Sequence, residues 1–436
     1  MLKNIKSIVF LLNVIFIFGS EIFIYSFFRD YSNFIERLTL RLSLVNILCV
    51  KIFQAFTLNN NLIDEKTNNK LLLFTDNAPW NISDIDLYNL IKISQKYNLW
   101  LENGYEKPMN SGMISIVFKA YEIKNHNKPV IIKMKRKNIE QKLNDAIENL
   151  LFSIYLLSFI SIFNKYQFVE IVTKNIEIIR HQTNFLEEVD NMNRIKNNCK
   201  NLKYIKIPSA RREVTEQYPN SIIMEFIEGN KINQIQKEDY REFAKQVMKF
   251  GFVTTIVHGV THGDLHGGNI LFIKDNQDKK YPYKIGVIDF GIIYEVETKY
   301  KDLFFDIITQ IFDTSPRETA IKILNSGIIE PLDILQKIPK EDYENIISFS
   351  TEIIDETVNI SKKANQVQIY KFLAKLKDYL SNSKLVELGI RPSDNFIKIQ
   401  LVLAMSQGVT LTLCDDKFID LADKVINELF HTNMII

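Results

Sequence analysis

Between residues 260 and 291 the acidic residues Asp264 and Asp289 and the amide Asn269 are each set against a short apolar run. Thr261-His-Gly-Asp-Leu-His-Gly-Gly-Asn-Ile-Leu is followed, after a polar turn over 275–280, by Ile288-Asp-Phe-Gly. The flanking segments Ile270-Leu-Phe-Ile and Ile285-Gly-Val-Ile are short and apolar, and read as strands. The spacing restricts what the chain can be. Asp264 stands on a glycine-rich loop, Asn269 lies five positions on, and Asp289 heads a D-F-G turn. Phosphoryl transfer from Mg-ATP needs one carboxylate to orient or deprotonate the nucleophile, and oxygen ligands for Mg²⁺. Asp264 suits the first task as the catalytic residue. Asn269 and Asp289 suit the second as metal ligands. Each part alone is a weak signal; their order and setting make it a strong one.

Kinases place a phosphate-binding lysine on a strand, in a V-A-I-K-like context, held by a distant glutamate. Val130-Ile-Ile-Lys133 follows the alternating run 114–120 and fits that description, so Lys133 is the expected ATP-binding lysine. Lys135, Arg136 and Lys137 then read as the solvated remainder of a basic run. Glu188 is the expected ion-pair partner and Glu187 the alternative, because only one of two neighbours on a helix faces the strand. Glu225-Phe-Ile-Glu-Gly229 reads as a hinge, where backbone groups at Glu225 and Ile227 can meet adenine. His258, His262 and His266 recur every four residues, which on one helix would line a metal-binding face. A glycine-rich loop from about Gly259 breaks that face, so His262 and His266 are expected to shape the catalytic loop instead.

The rest of the chain divides around these motifs. Ser7 to Phe28 is apolar, with Glu21 its only charge and Lys3 and Lys6 ahead of it. As a helix it would reach about 33 Å, enough for a hydrocarbon core. Phe18 three places before the best cleavage point argues against a removed signal peptide, and Glu21 argues against an ideal span. A membrane anchor, an uncleaved interfacial or targeting segment and a buried helix remain the alternatives. From Arg29 to Thr57 the pattern stays helical, and a polar Asn-rich loop follows. Ser83 is placed to cap a short helix carrying Ile85, Leu87, Leu90 and Ile91. Two β-rich runs joined at Asn125-His-Asn-Lys give way to helix from Ile139 to Glu188, with Leu150 to Phe163 as a buried helix. A strand runs from Ser221 toward Gly229, an amphipathic helix from Glu238 to His258, and helices follow Glu295. This is an α+β, two-lobed plan. The expected divisions are 1–28, a hydrophobic N-terminal segment; 29–107, a helical extension; 108–225, a small lobe with a helical insertion; and 226–436, a mostly helical large lobe.

These residues together resemble the UbiB-type family of atypical kinase-like proteins, those with an aarF domain. His262 to Asn269 matches its His-x-Asp-x-His-x-Gly-Asn, and Asp289 to Gly291 its D-F-G. Its E-x-x-N helix is similar to Glu188-Val-Asp-Asn191, and its hinge to Met224-Glu-Phe-Ile-Glu-Gly229. Its K-x-G-Q signature resembles Lys51-Ile-Phe-Gln54, with Phe53 in place of the glycine. Leu73 to Pro79 resembles the D-x-x-P stretch that follows, and Ser406-Gln-Gly-Val with Asp415-Asp-Lys-Phe resembles the final helices. The family's Ala-rich nucleotide loop is replaced by Asn110-Ser-Gly-Met-Ile-Ser115, where Gly112 restores some of the backbone freedom of a glycine-rich loop. The resemblance implies a bilobal protein-kinase-like fold, Lys51 and Gln54 over the active site, ATP and Mg²⁺ as cofactors, and a role in quinone lipid metabolism at a membrane. A lipid or quinone precursor is then an expected partner.

Three functions stay open: a UbiB-type kinase or ATPase, a small-molecule phosphotransferase of the aminoglycoside or choline type, and a non-catalytic nucleotide-binding scaffold at a membrane. Lys51-x-x-Gln54 and the apolar start favour the first over the second. Fifty-four Lys+Arg against 52 Asp+Glu leave +2, too little to draw nucleic acid by bulk charge. Three dispersed cysteines, Cys49, Cys199 and Cys414, offer neither a disulfide framework nor a Cys-based zinc site.

Overall fold

The computed structural model describes residues 2–49, 78–124, 127–158, 180–310, 314–330, 337–364, 391–393, 406, 408–414 and 418–430. Lys51, Phe53 and Gln54, most of the Leu73 to Pro79 stretch and residues 415–417 lie outside them. The chain forms two compact units, Met1–Asn193 with Pro208–Phe226, and Arg194–Ile207 with Ile227–Ile436.

The first unit begins with helix α1 (Leu2–Phe28) and helix α2 (Tyr31–Val45). Arg29 turns the chain at φ 48°, and Asp30 caps α2 by accepting the Asn33 N–H at 3.0 Å. Ile17 packs on Leu38 and Leu42. Beside them Glu21, 1% exposed, meets Arg37 at 2.9 Å and Arg41 at 2.8 Å. The acidic residue that disturbed the apolar run is therefore an inward-facing link between the two helices. The other face of α1 exposes Ile8, Leu12, Phe16, Phe23 and Phe27. Ile5–Phe28 has a mean hydropathy of 2.3 and is long enough to cross a membrane. The helical pattern expected through Thr57 is interrupted at Asn46. Its buried side chain accepts the Leu48 N–H at 2.9 Å and donates to Ala146 O at 3.0 Å, bonds that a continuing helix would not allow.

The α3 helix (Leu87–Lys96) leads into an antiparallel sheet of β1 (Leu99–Leu101), β2 (Asn110–Ser111), β3 (Ser115–Glu122) and β4 (Lys128–Lys135). After α4 (Ile139–Ser158) and α5 (Phe185–Asn198), the chain passes through β5 (Ile205–Lys206) in the second unit and returns as β6 (Ser221–Glu225). Sheet order is β1-β3-β4-β6, with β2 paired on β3. Alternation in β3 turns Ile116, Phe118 and Ala120 onto Leu90 and Ile93 of α3, the centre of this core. The start of α3 differs from expectation. Asp86, not Ser83, is its cap, accepting the Asn89 N–H at 3.2 Å, while Asn81 caps the preceding turn Ile82–Asp84. Leu150 and Leu151 in α4 are only half-buried and Tyr155 is exposed, so this part is amphipathic rather than enclosed; residues 159–163 lie outside the described set.

In the second unit, α6 (Tyr240–Phe252) runs into a π-helical turn, Val253–Val257. Strand β7 (Val260–His262) follows, then β8 (Ile270–Lys274), β9 (Tyr283–Val287) and β10 (Ile293–Glu295). β7 pairs with β10, and β9 lies between β5 and β8. The core stacks Phe243 on Phe272 at 5.2 Å and encloses Phe250 and Phe290 completely. Helices α7 (Thr298–Gln310), α8 (Pro316–Leu324), α9 (Lys340–Ala364) and α10 (Phe418–Phe430) follow. Glu428 of α10 is fastened to Lys245 and Lys249 of α6 at 2.6 and 2.8 Å.

The revised cap is checkable by urea denaturation. Asp86→Ala is expected to cost about 1 kcal/mol, the usual worth of an N-cap, whereas Ser83→Ala is expected to stay within about 0.5 kcal/mol of the parent.

Candidate active site

Lys133 lies in β4, paired on one side with Val117 and on the other with Ile222. Both sheet neighbours and the start of α5 screen it from water, leaving it 6% exposed. A lysine so buried needs a partner, and its Nζ stands 2.5 Å from Glu188 Oε1. Glu188 is placed by the first turn of α5: Asn184 accepts the Glu187 N–H through its side chain at 3.2 Å and the Glu188 N–H through its carbonyl at 3.0 Å. Glu187 points outward toward His181. Phe185 closes the pair, with its ring centroid 5.6 Å from Nζ of both Lys133 and Lys135.

Of the basic run after Lys133, only Lys137 is exposed as expected. Lys135 reaches Glu140 at 3.0 Å, and Arg136 is buried with its guanidinium fully engaged. The strand period carries the signal. Val130, Ile132, Met134 and Arg136 fall on one face, and all four are buried. Gly112 sits in the turn between β2 and β3, its N–H bonded to Ser115 O at 2.8 Å. At the expected hinge, Glu225 is exposed and Ile227 buried. The Glu225 N–H already donates to Ser209 O at 2.9 Å, so an adenine there would use other backbone groups.

In the second unit, four short strands bracket two loops. Gly263 to Asn269 leaves β7 and enters β8, while Ile288 to Ile292 leaves β9 and enters β10. Both ends are tied: Gly263 N–H to Ile292 O at 2.8 Å, and Ile288 N–H to Asn269 O at 3.1 Å. Gly263 is required by this closeness, since a Cβ there would lie 2.5 Å from Ile292 Cγ2 and 2.9 Å from the Tyr294 ring. The loop expected from Gly259 therefore begins only after His262, which is the last residue of β7.

His262 is 1% exposed and joins the two loops. Its Nδ1 accepts the Asp264 N–H at 3.0 Å, so the proton resides on Nε2, which donates to Asp289 O. Burial holds this imidazole below its ordinary pKa. A neutral ring is what the geometry needs, because protonated Nδ1 could not accept. His266 Nδ1 accepts the Gly268 N–H at 3.1 Å and caps the turn Gly267–Asn269. Asn269 Nδ2 donates to Asp264 O at 2.9 Å, leaving the amide oxygen as the atom Asn269 can offer a cation. Asp289 Oδ1 accepts the Gly291 N–H at 3.0 Å, which shapes the D-F-G turn. Lys231, which motif spacing did not single out, donates to Gly268 O at 2.6 Å. Tyr294 lies beside Asp264, and burial followed by that charge pushes its phenol above the ordinary range. His258 closes the π-helical turn before β7, His262 ends that strand and His266 lies in the loop after it, so the three histidines share no helical face. Among the described residues no group of three or more His, Cys, Asp or Glu converges.

The antiparallel sheet with its Lys–Glu pair, and the paired short strands carrying the Asp, Asn and D-F-G loops, define an α+β protein-kinase-like fold. The model of the ABC1 atypical kinase-like domain matches residues 80–321, more than half of the chain, and the chain belongs to that family. A relative from Blochmanniella pennsylvanica, described as a probable protein kinase UbiB, is 24% identical over 306 residues, covering 68% of this chain and 55% of the relative. One of the same description from a Shewanella species is 25% identical over 276 residues, covering 61% and 49%. The chain thus spans about half the length of the curated relatives it matches. Among solved structures, the Rv3197–erythromycin complex from Mycobacterium tuberculosis aligns with a TM-score of 0.48 at 15% identity, covering 87% of this chain and 90% of that one.

Two outcomes follow from the buried groups. Lys133→Met removes the cation beside the buried Glu188 carboxylate and is expected to cost about 3–5 kcal/mol in urea unfolding, while Lys133→Met with Glu188→Gln recovers most of that loss. Unfolded His262 takes up a proton near pH 6.5, and folded His262 resists it. Stability is therefore full above about pH 6.5 and falls as pH drops from there toward the folded value. His262→Gln should flatten that decline in thermal melts between pH 7.5 and 5; the part due to His258, whose imidazole burial also lowers, remains.

Proposed function

We propose that this chain is an ATP-dependent phosphotransferase or ATPase of the UbiB type, working at a membrane on a quinone-like or isoprenoid lipid or its precursor. The observation that carries the reading is that one unit holds a buried Lys133–Glu188 ion pair, while the other holds Asp264, Asn269 and Asp289 on loops tied by short strands. Lys133 would hold nucleotide phosphates, kept charged and oriented by Glu188. Gly112 and the backbone at Glu225 and Ile227 would line the nucleotide. Mg²⁺ takes one or two protein oxygen ligands and completes its shell with phosphate oxygens and water. Asn269 and Asp289 are hard oxygen donors that fit this demand, and the ion would neutralise phosphate charge. Asp264 would accept the proton of the attacking hydroxyl, whether water or a phenol. His262 would hold the Asp264 and Asp289 loops together, and His266 would keep Asn269 on its turn. Lys51 and Gln54 are proposed to act over this site. The family membership and the names of the relatives support this reading.

Membrane contact is assigned to α1. Its seam is occupied by α2, with Glu21 inside the pairing, whereas its other face is a continuous apolar stripe. A net charge of +2 gives little bulk attraction to an anionic surface, so contact is assigned to that stripe. The test is Mg-ATP hydrolysis by the purified chain, with and without liposomes and a phenolic quinone-precursor analogue. Asp264→Ala is expected to lower turnover by about 10²–10⁴, and Asp289→Asn to weaken Mg-nucleotide binding. Undiminished hydrolysis in Asp264→Ala would overturn the mechanism, and no hydrolysis by the parent under any condition would favour the scaffold. Leu12→Gln with Phe16→Gln and Phe23→Gln should retain hydrolysis in detergent and lose flotation with liposomes.

A further inference from the structure

Arg136 follows directly on the last residue of β4, and five acceptors converge on its guanidinium. Nε donates to Gly112 O at 3.0 Å, and Nη2 to Ser111 Oγ at 2.7 Å and Ala78 O at 3.4 Å. Nη1 donates to Pro79 O at 2.8 Å and to Asp84 Oδ2 at 3.0 Å. Its backbone N–H adds a bond to Ile114 O at 2.8 Å. Two sets of partners are thereby joined. Ser111, Gly112 and Ile114 belong to the turn that precedes β3. Ala78, Pro79 and Asp84 belong to the segment that leads into α3. The two sets also touch directly, Ala78 N–H donating to Ser111 O at 2.8 Å and Ser111 Oγ to Ala78 O at 2.9 Å. Asp84 supplies the counter-charge and receives Lys142 as well, at 2.5 Å.

We propose that Arg136 is a positioning residue for nucleotide, clamping the Asn110–Ser115 turn from beneath so that it is ordered before nucleotide arrives. The proposal rests on the phosphotransferase reading and adds a residue to it. A glycine-rich loop is loose because its backbone has many conformers, and ordering it on binding costs free energy. Here Gly112 does not use the left-handed region, and its carbonyl is tied to a cation fixed in the core. Only a guanidinium serves: its planar fork meets several acceptors at once, whereas an ammonium is a single point of charge.

The variants are Arg136→Lys, which keeps the charge without the fork, and Ser111→Ala, which removes one turn-side bond and leaves Arg136 with Asp84. Amide hydrogen exchange at residues 111–116 is measured without nucleotide, together with the dissociation constant for Mg-ADP and turnover at saturating ATP. Both variants should exchange faster at the turn. Arg136→Lys should weaken Mg-ADP binding about tenfold, the scale of one charge-assisted hydrogen bond, and leave turnover at saturation within about twofold. Ile93→Val, in the same core, serves as the comparison, since lost packing alone lowers the melting temperature and leaves affinity unchanged. Unchanged Mg-ADP affinity in folded Arg136→Lys would overturn this proposal alone. No Mg-ADP binding by the parent chain would overturn it together with the reading beneath it.

Discussion

A charge removed from water must be met by another, and much of the first unit is arranged around that requirement. Lys133 lies in an inner strand of the sheet with a strand on each side, where an uncompensated ammonium would be intolerable. Glu188 reaches it only because α5 starts where it does, with Asn184 capping its first turn. Phe185 then excludes water from the pair. The same rule operates three residues further along, just past the end of β4, where Arg136 is matched by Asp84 and by backbone carbonyls. Such pairs are not strong sources of net stability. What they mark is the register, since a one-residue slip of β4 would turn Lys133 to the opposite face, away from Glu188.

The second unit solves a different problem, that of keeping together two loops that each carry a carboxylate of the same charge. Backbone does the work. β7 with β10 and β8 with β9 hold the four loop ends, and His262 spans the gap as a neutral ring with one donor and one acceptor. The carboxylates of Asp264 and Asp289 are partly exposed, whereas His262 and Phe290 beneath them are buried. This is how a site can be rigid in position and open in chemistry, the condition that electrostatic catalysis asks for.

The apolar N-terminal helix joins these themes. Glu21 within it looked like a defect in a membrane segment, and its place beside Arg37 and Arg41 makes it the point of attachment for α2. The stripe left outside is the surface on which the proposed membrane contact depends. One helix thus carries two chemically distinct faces, one closed by Glu21 and α2 and one left apolar and exposed.

The motifs, the strand carrying Lys133, the choice of Glu188 over its neighbour and the family were legible in the chain itself, because fixed spacing on a strand, helix or tight turn dictates which residue types can share a task. Alternation likewise placed Ile116 and Phe118 in the core. Period two could also have turned Arg136 inward, but the basic residues around it masked that signal, since composition argues for solvent where pleat argues for core. The cap at Asp86, the break at Asn46 and the bridging role of His262 depend on partners 3, 100 and 27 residues away. Local periodicity has no access to the last two. The lysine and the acidic loops were thus written in local sequence, whereas the acceptors gathered on Arg136 and the bridge from His262 to Asp289 were decided only by folding, because each joins groups from distant parts of the chain.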